Sequence, residues 1–215
     1  GLRKIIADKM MKSLHGMAQA SHRMKVDMSE IVSMREKLKK DNVKVSYTDI
    51  FVKVVSKALM EFPELNSTLT DEGILVRDYV NMGIAVAMEN GLIVPVIKNA
   101  DLMTLEEISV VSAELIDKAR TGKLMPDDYA GGTFTITNLG MYDIDEFTAI
   151  INPPESAILA IGKIEKVPVV RDDQIVIRPV TILSLTYDHR VVDGAPAARF
   201  LQRVKQLLTN PYLLL

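Results

Sequence analysis

The residues most suited to chemistry in this chain form one short string, Asp188-His189-Arg190-Val191-Val192-Asp193-Gly194. It follows the apolar run Val180 to Thr186, which reads as a buried strand. A charged cluster at the end of such a strand needs a reason, because buried charges are costly unless they are paired. One reason is structural: Asp188, Arg190 and Asp193 pair among themselves in a turn that leads into the last helix. The other is functional. The turn presents the His189 imidazole at a strand end, and a neutral imidazole takes a proton near neutral pH, the task of a general base. Asp193 would then fix the loop or the ring through hydrogen bonds, and Gly194 would permit the tight backbone before the helix. The other histidines have plainer readings. His15 sits late in an amphipathic helix and His22 at the start of a strand, positions where a lone histidine packs or caps.

Several chemistries are excluded. The chain has no cysteine, so a thiolate nucleophile, a disulfide and a thiolate metal site are all impossible. Any thiol that reacts here comes with the substrate. There is no Gly-x-Ser-x-Gly elbow, no Gly-x-x-x-x-Gly-Lys phosphate loop, no Gly-x-Gly-x-x-Gly and no His-Glu-x-x-His. Three scattered histidines make a poor zinc site, so no metal is expected. Asn66-Ser67-Thr68 matches a glycosylation sequon by pattern only, without a secretion signal to support it.

The elements that must position the string are legible in outline. Leu2 to Ala20 reads as a helix, Ser21 to Met28 as a strand, and Glu30 to Lys40 as a helix. Ser46-Tyr47-Thr48-Asp49 has the capping-box pattern and opens a buried helix that Pro63 ends. Ile74 to Ile97 reads as a set of strands with a turn near Glu89-Asn90-Gly91. Thr104 and Glu107 cap a helix reaching Arg120. Short strands follow at Thr133 to Thr137, Ser156 to Lys166 and Gln174 to Tyr187, the last two joined by a turn at Arg171-Asp172-Asp173. Ala197 to Leu208 is the final helix. Helices and strands interleave without strict βαβ repetition, which implies a mixed sheet with packed helices, an α/β fold.

The 215 residues hold no low-complexity linker, charge block or internal repeat, so residues 1–215 read as one domain. A net charge of −2 offers no general attraction to nucleic acid or anionic lipid, and neither partner is expected. The apolar stretches at Gly83 to Ile97 and Ala149 to Ile164 are interrupted by polar residues and prolines, so no membrane span is expected. The N-terminus lacks a signal-peptide layout, and Gly1 begins without an initiator Met, as in a piece of a longer protein.

The His189 string resembles the signature of the dihydrolipoamide acyltransferases that form the cores of 2-oxo acid dehydrogenase complexes. Further blocks resemble that family in its own order: Arg3 to Met10, Asn81 to Val86, Gly91 to Ile97, Gly131 to Gly140 and Ile151 to Glu155. The resemblance implies a chloramphenicol-acetyltransferase-like α/β fold and a trimer with active sites between subunits. One subunit would supply His189 and Asp193, and its neighbour Thr137, where many members have Ser. It implies transfer of an acetyl or branched-chain acyl group between dihydrolipoamide and coenzyme A. His189 would act as base and the Thr137 hydroxyl as oxyanion donor, with no covalent acyl-enzyme. Coenzyme A contacts would fall on Arg35, Ser46, Asn138 and Gly162, although Ser46 also reads as a helix cap and Arg35 as a solvated charge. Many members place an Asp where this chain has Ala87.

The lipoyl group would arrive on a separate domain. The 2-oxo acid decarboxylase and dihydrolipoamide dehydrogenase would be partners, in the cytoplasm or, in a eukaryote, the mitochondrial matrix. The apolar tail Pro211 to Leu215 would either fold onto its own subunit or dock on a neighbouring trimer to build a cage, and the resemblance favours docking. Two alternatives stay open: a silent structural scaffold, and an acetyltransferase of the same fold with a small-molecule acceptor.

Overall fold

A computed structural model describes residues 1–88 and 91–214. The turn expected at Glu89-Asn90 and the terminal Leu215 lie outside the described residues.

The chain opens with helix α1 (Leu2–Gly16), strand β1 (Gln19–Asp27) and helices α2 (Ser29–Lys40) and α3 (Tyr47–Glu61). Short strands follow: β2 (Ser67–Thr70), β3 (Gly73–Val76), β4 (Met82–Ile84), β5 (Val86–Met88), β6 (Gly91–Ile93) and β7 (Val96–Ile97). Helix α4 (Leu105–Arg120) leads to β8 (Phe134–Asn138), β9 (Ala157–Ile161), β10 (Glu165–Arg171), β11 (Gln174–Asp188) and α5 (Gly194–Thr209).

The main sheet runs β1-β11-β9-β8-β4-β7, with β10 continuing along the β9 edge of β11. The β4–β8 and β8–β9 pairs are parallel and the others antiparallel, so the sheet is mixed as expected. Helix α3 is buried on nearly all sides and packs on α4 and α5. Helix α5 turns Ala197, Phe200, Leu201, Val204, Leu207 and Leu208 inward, the spacing of one helical face. Phe200 meets Phe62 edge-on at 5.9 Å and Phe134 at 6.0 Å, which locks α5 between α3 and the sheet. Both expected capping boxes form, Ser46 with Asp49 and Thr104 with Glu107.

Several boundaries differ from expectation. The first helix ends at Gly16 rather than Ala20, because Gln19 and Ala20 pair with Asp188 and Tyr187 in the sheet. The expected strand Ser156 to Lys166 is broken after Ile161. A Cβ on Gly162 would fall 1.8 Å from the Asp145 carbonyl oxygen, so the β8–β9 connection presses on the backbone there. Beyond the break the chain resumes as β10, paired with the first half of β11. Asp172 and Asp173 both take positive φ, as a tight hairpin turn requires, at the expected position. The residues from Ser67 to Thr70, unassigned by periodicity, form β2 and pair with β3.

The tail is divided in its behaviour. Pro211–Leu214 makes a 3-10 turn, Leu213 and Leu214 pack against the core, and the Lys57 ammonium donates to the Leu213 carbonyl at 2.5 Å. Tyr212 alone of these stands well exposed. Among the described residues no helix is long and apolar enough to cross a membrane.

Candidate active site

The turn after β11 is held at its entrance by the start of β1. The His189 amide donates to the Ala18 carbonyl at 2.8 Å, and the Ala18 amide donates to Asp188 Oδ1 at 3.2 Å. Asp188 is buried and takes both forks of the Arg190 guanidinium, at 2.6 to 3.1 Å. Burial pushes the Asp188 carboxyl up, but the Arg190 hydrogen bonds and charge outweigh it and hold the group below the usual range. The structural reading of the string is therefore right for Asp188 and Arg190. Asp193 takes no part in that pair, which leaves it and His189 free for another task.

Those two side chains face outward. His189 is 49% exposed and Asp193 84% exposed, with Nδ1 and Oδ1 3.8 Å apart, beyond a hydrogen bond. A ring this loosely held can be brought to its working geometry by a bound partner.

Thr137 lies elsewhere. It lies one residue before the end of β8, half-buried, on the wall of a cavity of about 120 Å³ that Thr48, Ala87, Leu92, Asn138 and Met141 also line. The register sets its distance from His189. Thr137 pairs with Ala160, Ala160 pairs with Ser184, and His189 lies five residues further along the chain, just past the end of β11. At about 3.4 Å per residue and about 4.8 Å per strand, the two groups are about 20 Å apart, at opposite ends of the sheet. One chain cannot bring them together.

The expected coenzyme residues divide as well. Arg35 and Ser46 line a cavity of about 590 Å³ with Lys39, Lys44 and the polar residues Asp49 and Ser109. Arg35 is fixed twice: its Nε donates to the Val45 carbonyl at 3.0 Å, and its guanidinium lies 4.6 Å from the Tyr47 ring centre. Ser46 caps α3 through its oxygen, so its proton stays free, and the helix N-terminus beside it favours an anion. Asn138 reaches across to α3, its amide donating to Thr48 Oγ1 at 3.3 Å, while its oxygen accepts the Gly140 amide. The large cavity and the Thr137 cavity thus flank the first turn of α3 and share Ile116 on their linings.

Gly162 is not brought to either cavity. Its N–H donates to Ile182 and its carbonyl accepts from Thr181 Oγ1, so both backbone groups are occupied within the chain. The position admits the close approach of Asp145, and only a residue without a side chain fits. The residues that sequence reasoning missed are Lys39 and Lys44 on the large cavity and Thr48 between the two. Lys39 belongs to the tail of α2 and Lys44 to the loop before α3, and both read as ordinary solvated charge.

Comparison with known proteins gives the family. The family described as 2-oxoacid dehydrogenases acyltransferase (catalytic domain) matches residues 1–215. The chain is 42% identical to the Bacillus subtilis dihydrolipoyllysine-residue acetyltransferase component of the pyruvate dehydrogenase complex, covering all of this chain and 50% of that protein. It is 40% identical to the Rickettsia typhi succinyltransferase component of the 2-oxoglutarate dehydrogenase complex, covering all of this chain and 55% of that protein. The chain thus spans about half the length of these relatives. Two solved structures superpose with TM-score 0.93, each over 99% of this chain and 90% of the other. They are the Azotobacter vinelandii dihydrolipoamide acetyltransferase, at 35% identity, and the cubic core of a pyruvate dehydrogenase multienzyme complex, at 36%. A chloramphenicol acetyltransferase shares the fold at 18% identity and TM-score 0.61, over 94% of both chains.

Proposed function

We propose that this chain, which belongs to the 2-oxoacid dehydrogenase acyltransferase catalytic-domain family, transfers an acyl group between a dihydrolipoyl thiol and coenzyme A. The observation that carries the reading is the meeting of two cavities at the first turn of α3. One is large and lined by three cations, Arg35, Lys39 and Lys44, which suits the phosphates of a nucleotide coenzyme. The other holds the Thr137 hydroxyl. A coenzyme lying across that turn would carry its thiol end toward Thr137.

The chemistry follows from the groups available. His189 takes the proton of the incoming coenzyme A thiol. The thiolate attacks the carbonyl carbon of the acyl-dihydrolipoyl thioester, and Thr137 donates a hydrogen bond to the oxyanion. Collapse breaks the bond to the lipoyl sulfur, which takes the proton back from His189. In the Azotobacter vinelandii enzyme a serine, a histidine and an asparagine have been investigated for their catalytic roles. Their spacings, 52 and 4 residues, equal those from Thr137 to His189 and from His189 to Asp193. Thr keeps the hydroxyl of Ser, and Asp193 keeps an oxygen acceptor where that enzyme has Asn.

Because one chain separates base from hydroxyl, we infer a trimer with a site at each subunit boundary, His189 and Asp193 from one chain and Thr137 from the next. The projecting β10–β11 hairpin supports a neighbour, since it leaves Val170, Ile175 and Ile177 exposed. Tail-mediated docking of trimers into a cage would present Tyr212, because Leu213 and Leu214 are already used at home. A lipoyl domain, a 2-oxo acid decarboxylase and a dihydrolipoamide dehydrogenase complete the proposed complex, in the cytoplasm or the mitochondrial matrix.

Around Thr137 the cavity wall is Ile84, Val86, Leu92, Leu139 and Met141, with Arg120 at the end of α4. These apolar residues suit acetyl or a branched-chain acyl group, the proposed cargo, and Arg120 is the group on this wall with which a succinyl carboxylate would pair. The direct test is transfer from acetyl-, isobutyryl- and succinyl-CoA to free dihydrolipoamide. Acetyl- or isobutyryl-CoA should lead by tenfold or more. Inactivity with all three overturns the proposed function, and a lead for succinyl-CoA overturns the cargo.

The coenzyme assignment has its own test. Arg35→Met should raise the KM for coenzyme A about tenfold and leave kcat within about twofold, the pattern of a lost binding contact. An unchanged KM would remove Arg35 from the site.

A further inference from the structure

The exit of the catalytic turn is anchored by a residue that sequence spacing alone leaves as packing. His22 lies on β1 opposite Leu185, and Tyr187 lies two residues further along β11 on the same face. The three rings of His22, Tyr187 and His189 form a row, with centroids 5.2 and 5.7 Å apart. At the far end of the row, His22 Nε2 is 3.0 Å from the Gly194 carbonyl oxygen and 3.1 Å from the Tyr187 hydroxyl. Gly194 is the first residue of α5 and directly follows Asp193. A Cβ there would stand 3.6 Å from both His22 Nε2 and the Tyr187 oxygen, so the helix start sits against this pair.

The tautomer follows from the contacts. A carbonyl oxygen only accepts, so a bare Nε2 at 3.0 Å would set two lone pairs against each other. Nε2 therefore carries the proton and donates it to Gly194. The two ends of the turn are then tied to one strand: Ala18 of the β1 approach holds Asp188 and His189, and His22 holds Gly194. Between these ties the His189 ring lies 5.7 Å from the Tyr187 ring and its Nδ1 stands 3.8 Å from Asp193 Oδ1, so no hydrogen bond between His189 and Asp193 fixes either side chain.

We propose that His22 is a positioning residue for acyl transfer: its Nε2–H fixes the Gly194 end of the turn and thereby sets where His189 and Asp193 stand. The inference rests on the reading of His189 as the base, and the test separates the two. Glutamine can carry an N–H to the place of His Nε2, whereas the shorter asparagine cannot. His22→Asn should therefore lower kcat about tenfold with the KM for coenzyme A within about twofold, and His22→Gln should retain at least about half of kcat. Both variants should match the wild type in assembly by light scattering and in melting temperature.

Hydrogen exchange read by mass spectrometry gives a second result that does not need activity. Amides from His189 to Ala197 should exchange faster in His22→Asn than in the wild type, and His22→Gln should restore their protection. Equal kcat in both variants, whether full or lost, overturns the proposal. So does unchanged exchange in His22→Asn, or a rise in KM without a fall in kcat. If the wild type proves inactive with every acyl-CoA, the proposed function fails, and the exchange result alone decides whether His22 holds the turn.

Discussion

Chains carrying His189→Ala and chains carrying Thr137→Ala, each nearly inactive alone, should regain roughly a quarter of the wild-type rate when assembled together in equal amounts. The expectation follows from the β-sheet register, which leaves about 20 Å between the two groups within one chain. Losing the general base should cost about a hundredfold to ten-thousandfold. Losing one oxyanion donor should cost about a hundredfold or more. In a mixed trimer, a boundary is intact when the chain giving His189 carries the Thr137 change and its neighbour carries the His189 change. Random assembly makes that arrangement at roughly one boundary in four. Co-expressing the two variants in equal amounts, purifying the whole population without selecting mixed species, and measuring transfer checks it. If base and hydroxyl acted within one chain, every site would lack one of them and mixing would recover nothing.

The turn proposed as catalytic is legible because its residue types are unusual for their place: a His and two carboxylates at the end of an apolar strand. The capping boxes at Ser46 and Thr104 were equally readable, since each is a local side-chain-to-backbone exchange written in four residues. What spacing alone could not show was set by partners far along the chain. Gln19 and Ala20 continue a helical pattern, yet they become strand because β11 offers a ladder from Gln19 to Asp27. Gly162 looked like a ligand contact by family position, while its site is shaped by Asp145, which approaches from the loop after β8. His22 looked inert for the same reason: its partners, Tyr187 and Gly194, lie more than 160 residues away. The separation of Thr137 from His189 is likewise a property of the register. The resemblance supplied the idea of a shared site, and the sheet supplies a physical reason for it.

Glu155 should make the folded chain less stable as pH rises from 5 to 8, by about 3 kcal/mol. The side chain is fully buried and precedes Ser156, whose carbonyl accepts the Asp188 amide at 2.9 Å. Burial pushes its carboxyl up from 4.5 to about 7. Hydrogen bonds from Thr135 and Asn152 and the charge of Lys9 act in the opposite sense without cancelling that shift. Oε1 accepts from Asn152 at 2.8 Å, but Oε2 has no partner among the described residues. The sign follows directly. Below about pH 4.5 both folded and unfolded chains hold the proton, and the fold keeps its full stability. Between 4.5 and about 7 the unfolded chain releases the proton and the folded chain retains it, so stability falls with rising pH. Above about 7 the loss is complete and the curve levels. Glu155→Gln keeps the acceptor for Asn152 and cannot ionise, so its urea-unfolding free energy should lack this slope. The variant should be close to the wild type at pH 5 and clearly more stable at pH 8. Parallel pH profiles for the two proteins would mean that water or a neighbouring subunit's charge already reaches Oε2, and that Glu155 is ionised in the fold.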